Sequence, residues 1–190
     1  MRKQLIFIGI GLLMAASGLV RAQGFKGNLR LGLLASQVDG DNRDGYHKPG
    51  VYAGMAASLN PPETNWEMSL GMCYMQKGCK TTDYHLTLHQ IGVPLQFRWN
   101  CLKKYRVDLG TSLNITPWVI ERRNGDVWVN GDHPYRFFEW SVFGGFDFKL
   151  NEHWDLQLHM HYSLLPVGKS LYSKYGLRNN TLELSMAYTF

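Results

Sequence analysis

The stretch WDLQLHMHYSL, residues 154–164, places an apolar side chain at every second position. Trp154, Leu156, Leu158, Met160, Tyr162 and Leu164 alternate with Asp155, Gln157, His159, His161 and Ser163. Successive side chains of an extended strand point to opposite faces, so a period of two gives one apolar face and one polar face. A helix would need a period near 3.6 to do the same.

Working outward, the same alternation predicts eight strands in all. Toward the C-terminus, Leu182, Leu184, Met186, Tyr188 and Phe190 oppose Glu183, Ser185 and Thr189. Toward the N-terminus, Phe138, Trp140, Val142, Phe146, Phe148 and Leu150 oppose Glu139, Ser141, Asp147 and Lys149. Before them, Tyr105, Val107, Leu109, Thr111, Leu113 and Ile115 oppose Arg106, Asp108, Ser112 and Asn114. The fourth strand begins with Tyr84, Leu86 and Leu88 and continues as Ile91, Val93, Leu95, Phe97 and Trp99. Its phase slips by one near His89 and Gln90, as a β-bulge would make it do. The first three apolar faces are Leu29-Leu31-Leu33, Val51-Ala53-Met55-Ala57-Leu59 and Trp66-Met68-Leu70-Met72-Tyr74.

Composition agrees. Of the 190 residues, 45% are apolar, 13% aromatic and only 18% charged, and 20 are glycine. Globular chains average about 25% charged residues. So many aromatics exclude disorder, and the excess of Gly, Tyr and Trp excludes a helical bundle.

The apolar faces of the eight segments carry no charge. The opposite faces carry Lys26, Arg30, Lys77, Arg98, Arg106 and Lys149 beside Glu67, Asp108, Glu139, Asp147, Asp155 and Glu183. A soluble sandwich or lipocalin-like barrel would bury the apolar face, whereas a transmembrane barrel turns it to lipid. Three features select the transmembrane barrel. Short connections (residues 60–65, 100–104 and 151–153) alternate with mostly longer ones (37–48, 119–134 and 166–179). Aromatics gather at the short-turn ends (Trp66, Trp99, Tyr105, Phe148, Trp154) and toward the long loops (Tyr74, Tyr84, Trp118, Phe138, Trp140), as two interfacial girdles do. The last strand ends on Phe190, with Tyr188 and Met186 in phase, as a C-terminal insertion signal. The expected fold is an all-β, eight-stranded antiparallel up-and-down transmembrane β-barrel over residues 23–190. Eight strands leave room inside for side chains only, so the twelve charges should form a paired plug rather than line a wide pore.

Residues 1–22 read as a secretory signal peptide. Arg2 and Lys3 precede an apolar run from Leu5 to Val20, and cleavage is expected between Ala22 and Gln23. The run is short for a membrane helix of about 20 residues. The leader holds three of the chain's 20 basic residues and none of its 15 acidic ones, so most of the net charge of +5 leaves with it. No nucleic-acid role is expected. Cys73, Cys79 and Cys101 are odd in number and irregularly spaced, and free thiols are expected.

The segments SQVDGDNRDGYHKPGVYAG (36–54), YMQKG (74–78) and YHLTLHQIGVPLQF (84–97) resemble the PorT-like outer-membrane β-barrel family of Bacteroidota. The closing ELSMAYTF (183–190) is similar to the terminal signal read by the barrel insertion machinery. The resemblance implies a Gram-negative outer membrane, outer-membrane lipid around the barrel, and an eight-stranded fold. Most members of that family have no assigned activity, and its named member takes part in type IX secretion and gliding, so only location and fold carry over.

Candidate chemistry is sparse. Asp39-Gly40-Asp41-Asn42-Arg43-Asp44-Gly45 looks like a calcium loop, but Arg43 and Asp44 stand where an EF-hand loop has Asp or Asn and then Gly. A solvated outer loop is expected, with residues 45–48 fixing it to the rim. His159 and His161 should face inward, and His85 and His89 with them, as lumenal hydrogen-bonding groups rather than metal ligands. Asp132 and His133 near loop serines carry no nucleophile motif. Lys77-Gly78 reads as a rim turn with Lys77 snorkelling. The expectation is a barrel without catalytic residues, metal or cofactor. Its role in the envelope would be structural or accessory, with a possible envelope protein complex as partner. The alternative is an enzyme or ligand-binding barrel acting at the outer rim.

Overall fold

The structure is a computed structural model that describes residues 25–40, 45–81, 84–123, 126–129, 135–168 and 176–190. The expected leader, its Ala22/Gln23 cleavage point, the loop residues Asp41 to Asp44, and Asp132 and His133 lie outside the described residues.

The strands are β1 (Phe25–Asp39), β2 (Lys48–Leu59), β3 (Trp66–Lys80), β4 (Tyr84–Asn100), β5 (Tyr105–Arg123), β6 (Asp126–Val129), β7 (Phe138–Lys149), β8 (Trp154–Ser163) and β9 (Arg178–Thr189). Apart from β6, each pairs antiparallel with its neighbours in the chain, and β9 returns to β1 through Asn28↔Thr189 to Asp39↔Arg178. The sheet therefore closes on itself, which leaves no unpaired backbone edge to face hydrocarbon. β6 adds no stave to the barrel. It pairs with the outer end of β5, from Ile120↔Val129 to Arg123↔Asp126, making a hairpin of what the sequence reads as loop.

The predicted facing holds around most of the wall. Leu31 is 69% exposed and Leu109 67%, and Leu29, Leu33, Val107 and Leu113 continue the exposed apolar face along the same strands. A continuous exposed apolar surface of this kind is stable only in lipid. The inner girdle is built of ring contacts, Tyr105 on Phe148 at 5.2 Å and Trp154 on Tyr188 at 5.0 Å between centroids. In the outer girdle, Trp140 Nε1 donates to Thr111 Oγ1 at 2.7 Å, giving its polar tip a partner.

Four expectations are corrected. β4 does not slip: against β3 it keeps one register from Trp66↔Trp99 to Lys80↔His85. The shift lies in β5, where His89↔Trp118 gives way to Ile91↔Ile115, so Thr116 and Pro117 together oppose Gln90. Proline, which has no N–H for the ladder, is at home in such a bulge. Leu86 and Leu88 consequently face the lumen, each 1% exposed, and pack with Val38, Cys79, Val119, Val167 and Leu177. An apolar side chain is satisfied by lipid or by a packed interior alike, so hydropathy alone misassigned this half-strand. Tyr84 is also inward, its hydroxyl 2.8 Å from that of Tyr135.

His85 and His89 stand on the outward face instead, and His89 Nδ1 meets the Tyr74 hydroxyl at 2.7 Å. Lys77 is not a rim residue: β3 runs on to Lys80, and Lys77 is fully buried in the lumen. The β3–β4 connection is correspondingly short, and the tall outer ends of β3, β4 and β5 form a lip above one side of the barrel. Cys73, Cys79 and Cys101 form no disulfide with one another.

Candidate functional site

The lumen and its two mouths hold the polar chemistry of this chain. Along β8 from the short-turn end, Asp155, Gln157, His159, His161 and Ser163 point inward in sequence, so each names a level of the interior.

At the first level Arg106 Nη2 lies 2.6 Å from Asp155 and 3.7 Å from Asp147. Beside it Arg98 reaches three carboxylates from one guanidinium: Glu67 at 2.8 Å, Asp108 at 3.0 Å and Asp147 at 2.6 Å. Its planar fork makes this possible where a lysine would offer a single point charge. Next, His159 Nε2 sits 2.9 Å from Asp108 and 3.2 Å from Asp147. Arg30 donates to Gln96 at 2.8 Å, and Gln96 donates on to Asp108. Above these, His161 Nε2 meets Glu183 at 2.8 Å, and Phe143 packs against both histidine rings. Near the outer end Lys77 Nζ donates to Glu139 at 3.0 Å, while Gln90 and Asn179 donate to the second oxygen of the same carboxylate. Each of the six inward carboxylates thus has a cationic or imidazole partner. Within a medium of low dielectric this pairing is what makes buried carboxylates and their cations tolerable.

His159, His161 and Glu183, and likewise Asp108, Asp147 and His159, bring ligating atoms within 4.8 Å of one another. These groups already bond each other directly, which is the lumenal hydrogen bonding expected for His159 and His161.

The two mouths differ. The short-turn mouth is a polar vestibule of about 580 Å³ whose wall includes Lys26, Arg98, Arg106, Lys149, Glu152 and Asp155. The opposite mouth is sealed by the apolar cluster around Leu86 and Leu88. Val167 and Leu177 belong to that seal and fold inward from the last long connection, tied through Val167 N–H to the Leu177 carbonyl at 2.7 Å. The first long loop is pinned to the rim, as expected for residues 45–48. Tyr46 O–H donates to Asn180 at 2.9 Å and Gly45 N–H to Gln37 at 3.1 Å. Partial burial, with Asp39 nearby, raises the Tyr46 phenol pKa above its ordinary value. The sequence pointed to the charged residues of the lumen but not to their uncharged bridges: Gln90, Gln96 and Asn179 read there only as polar positions.

Met186 and Tyr188 face outward on β9, and Phe190 follows the last β9 residue with its N–H bonded to the Gly27 carbonyl at 3.0 Å.

A closed antiparallel barrel, lipid-facing outside and ion-paired within, is an integral outer-membrane β-barrel protein. The chain belongs to the outer membrane protein beta-barrel domain family, whose model matches residues 7–190. Two solved structures share the fold. Neisserial surface protein A is 12% identical, covers 88% of this chain and all of its own (100%), and superposes with a TM-score of 0.60. Ail, the attachment invasion locus protein of Yersinia pestis, is also 12% identical, with 88% and 99% covered and a TM-score of 0.54. No curated protein matches the chain.

Proposed function

We propose that this barrel works without catalysis as a structural or accessory component of the outer membrane, acting through its rims. The observation that carries this reading is the filled lumen. Arg98 and its three carboxylates cross the interior at one end, and the Leu86–Leu88 cluster seals the other. Among the described residues these two levels obstruct a solute, so the surfaces proposed for partners are the vestibule, the lip and the outer loops. The resemblance of segments 36–54, 74–78 and 84–97 to the PorT-like family of Bacteroidota favours membership in a larger envelope complex. The barrel insertion machinery is the other partner of this reading, engaging Met186, Tyr188 and Phe190.

The test is affinity purification from native outer membranes in mild detergent, with co-purifying proteins identified. A reproducible set of envelope proteins is the expected result. Purification of the barrel alone would overturn the accessory role.

A further inference from the structure

Lys80, His85 and Arg122 form a row of nitrogen-bearing side chains across three adjacent strands, with His85 between the two cations. Lys80 is the register partner of His85, and His85 is the register partner of Arg122. All three stand on the outward face of the lip, with Lys80 and Arg122 exposed. Cross-strand partners on one face have Cβ atoms about 5 Å apart, so His85 stands within reach of both cations. Lys48, Lys80 and Arg122 are the charged groups that act on His85, all of one sign. Among the described residues, neither Lys80 nor Arg122 has an ion pair.

Edge protection does not account for the row, because β4 is paired on both sides here and presents no free edge. Its height does. Trp118 and His89, bonded to Tyr74, mark the outer girdle. The row lies four residues farther along both β4 and β5. Four residues rise about 13 Å along a strand, or about 10 Å along the membrane normal at barrel tilt. Long basic side chains reaching back from that height meet the headgroup layer. Directly below the row the partner of Thr87 is Gly78, which contributes no side chain to the gap.

We propose that Lys80, His85 and Arg122 form a binding site for a phosphate group, supplied by a phosphorylated lipid headgroup of the outer leaflet. Arg122 offers a fork matched to phosphate oxygens, Lys80 a point charge, and His85 a further N–H between them. The site faces the bilayer rather than the lumen, so a lipid reaches it without entering the barrel. The bound phosphate would supply the counter-charge for the two cations that flank His85.

The test uses the folded full chain in phosphatidylcholine nanodiscs doped either with phosphatidic acid or with diacylglycerol, which lacks only the phosphate. Lipid retained on the released protein is read by native mass spectrometry. The expected result is retention of phosphatidic acid over diacylglycerol. Retention falls by about tenfold or more in the Lys80→Gln/Arg122→Gln double variant, and holds in a Lys103→Gln/Lys104→Gln control at the opposite mouth. Heat-dependent migration confirms that each variant is folded. Failure of inorganic phosphate to compete assigns the site to the lipid headgroup. Competition at equal concentration keeps phosphate as the ligand and makes the free anion its source. Equal retention by wild type and the double variant, or no preference for phosphatidic acid, overturns the proposal.

Discussion

The ring of Phe190 lies across Gly27, so closely that a Cβ on the glycine would stand 2.5 Å from Phe190 Cε2. With the Phe190 N–H donating to the Gly27 carbonyl at 3.0 Å, the last residue of the chain finishes the seam where β9 meets β1. The terminal aromatic is therefore part of barrel closure as well as of the proposed insertion signal. Deleting Phe190 is expected to lower the yield of folded, membrane-inserted protein. The check is the fraction that runs as the compact, heat-sensitive band on SDS gels. Normal assembly of the truncated chain would refute the terminal signal.

Removing the Arg98 side chain leaves Glu67, Asp108 and Asp147 facing one another without their shared cation. Breaking a buried ion pair costs about 3–5 kcal/mol. Arg98→Met is expected to lose about that much, and Arg98→Lys to recover only part of it, since an ammonium cannot fork. Urea unfolding in detergent micelles measures both.

Leu158 and Leu88 are both leucines on strands, but one is 44% exposed toward lipid and the other 1% exposed inside the outer seal. Leu158→Arg is expected to cost about 2–4 kcal/mol if the residue lies near the bilayer midplane. Leu88→Ala is expected to cost about 2–5 kcal/mol through the cavity it leaves, and Leu158→Ala much less because lipid fills the gap. Similar losses for the two alanine variants would mean that Leu88 does not face the lumen.

The ion pairs at the Arg98 level and the apolar cluster at Leu86 and Leu88 fill the described lumen at two heights, so the wild-type barrel is expected to give no stable ohmic steps in planar bilayers. Reproducible large conductance would show that the Arg98 level opens.

Most of the wall was legible because a strand with lipid on one side and charge on the other can face only one way. The residues at 154–164 and 182–190 state that choice at every position. The outer half of β4 was not legible, because Leu86 and Leu88 are apolar and the lumen there is apolar too, so both orientations satisfy the pattern. The clue lay on the neighbouring strand: Pro117 marks the place where β5 gains a residue. The six-against-six charge balance foretold a plug. Which cation serves which carboxylate depends on closure bringing Arg98 of β4 level with Asp147 of β7, strands that are not neighbours. The buried position of Lys77 was hidden for a related reason, since its partner Glu139 lies 62 residues away in the chain.

The two sides of the wall also set different rules for how such a chain diverges. On the outward face, leucine, valine, methionine and phenylalanine are nearly interchangeable, and each position can drift alone. Inside, a change at Arg98 strands three acids and a change at Glu139 strands a lysine, a glutamine and an asparagine, so positions there must change in concert. A lineage free to wander on one face and bound to linked steps on the other can keep its architecture while its sequence becomes unrecognisable. The barrel of Neisserial surface protein A shows the same fold carried by a sequence only 12% identical over 88% of the chain.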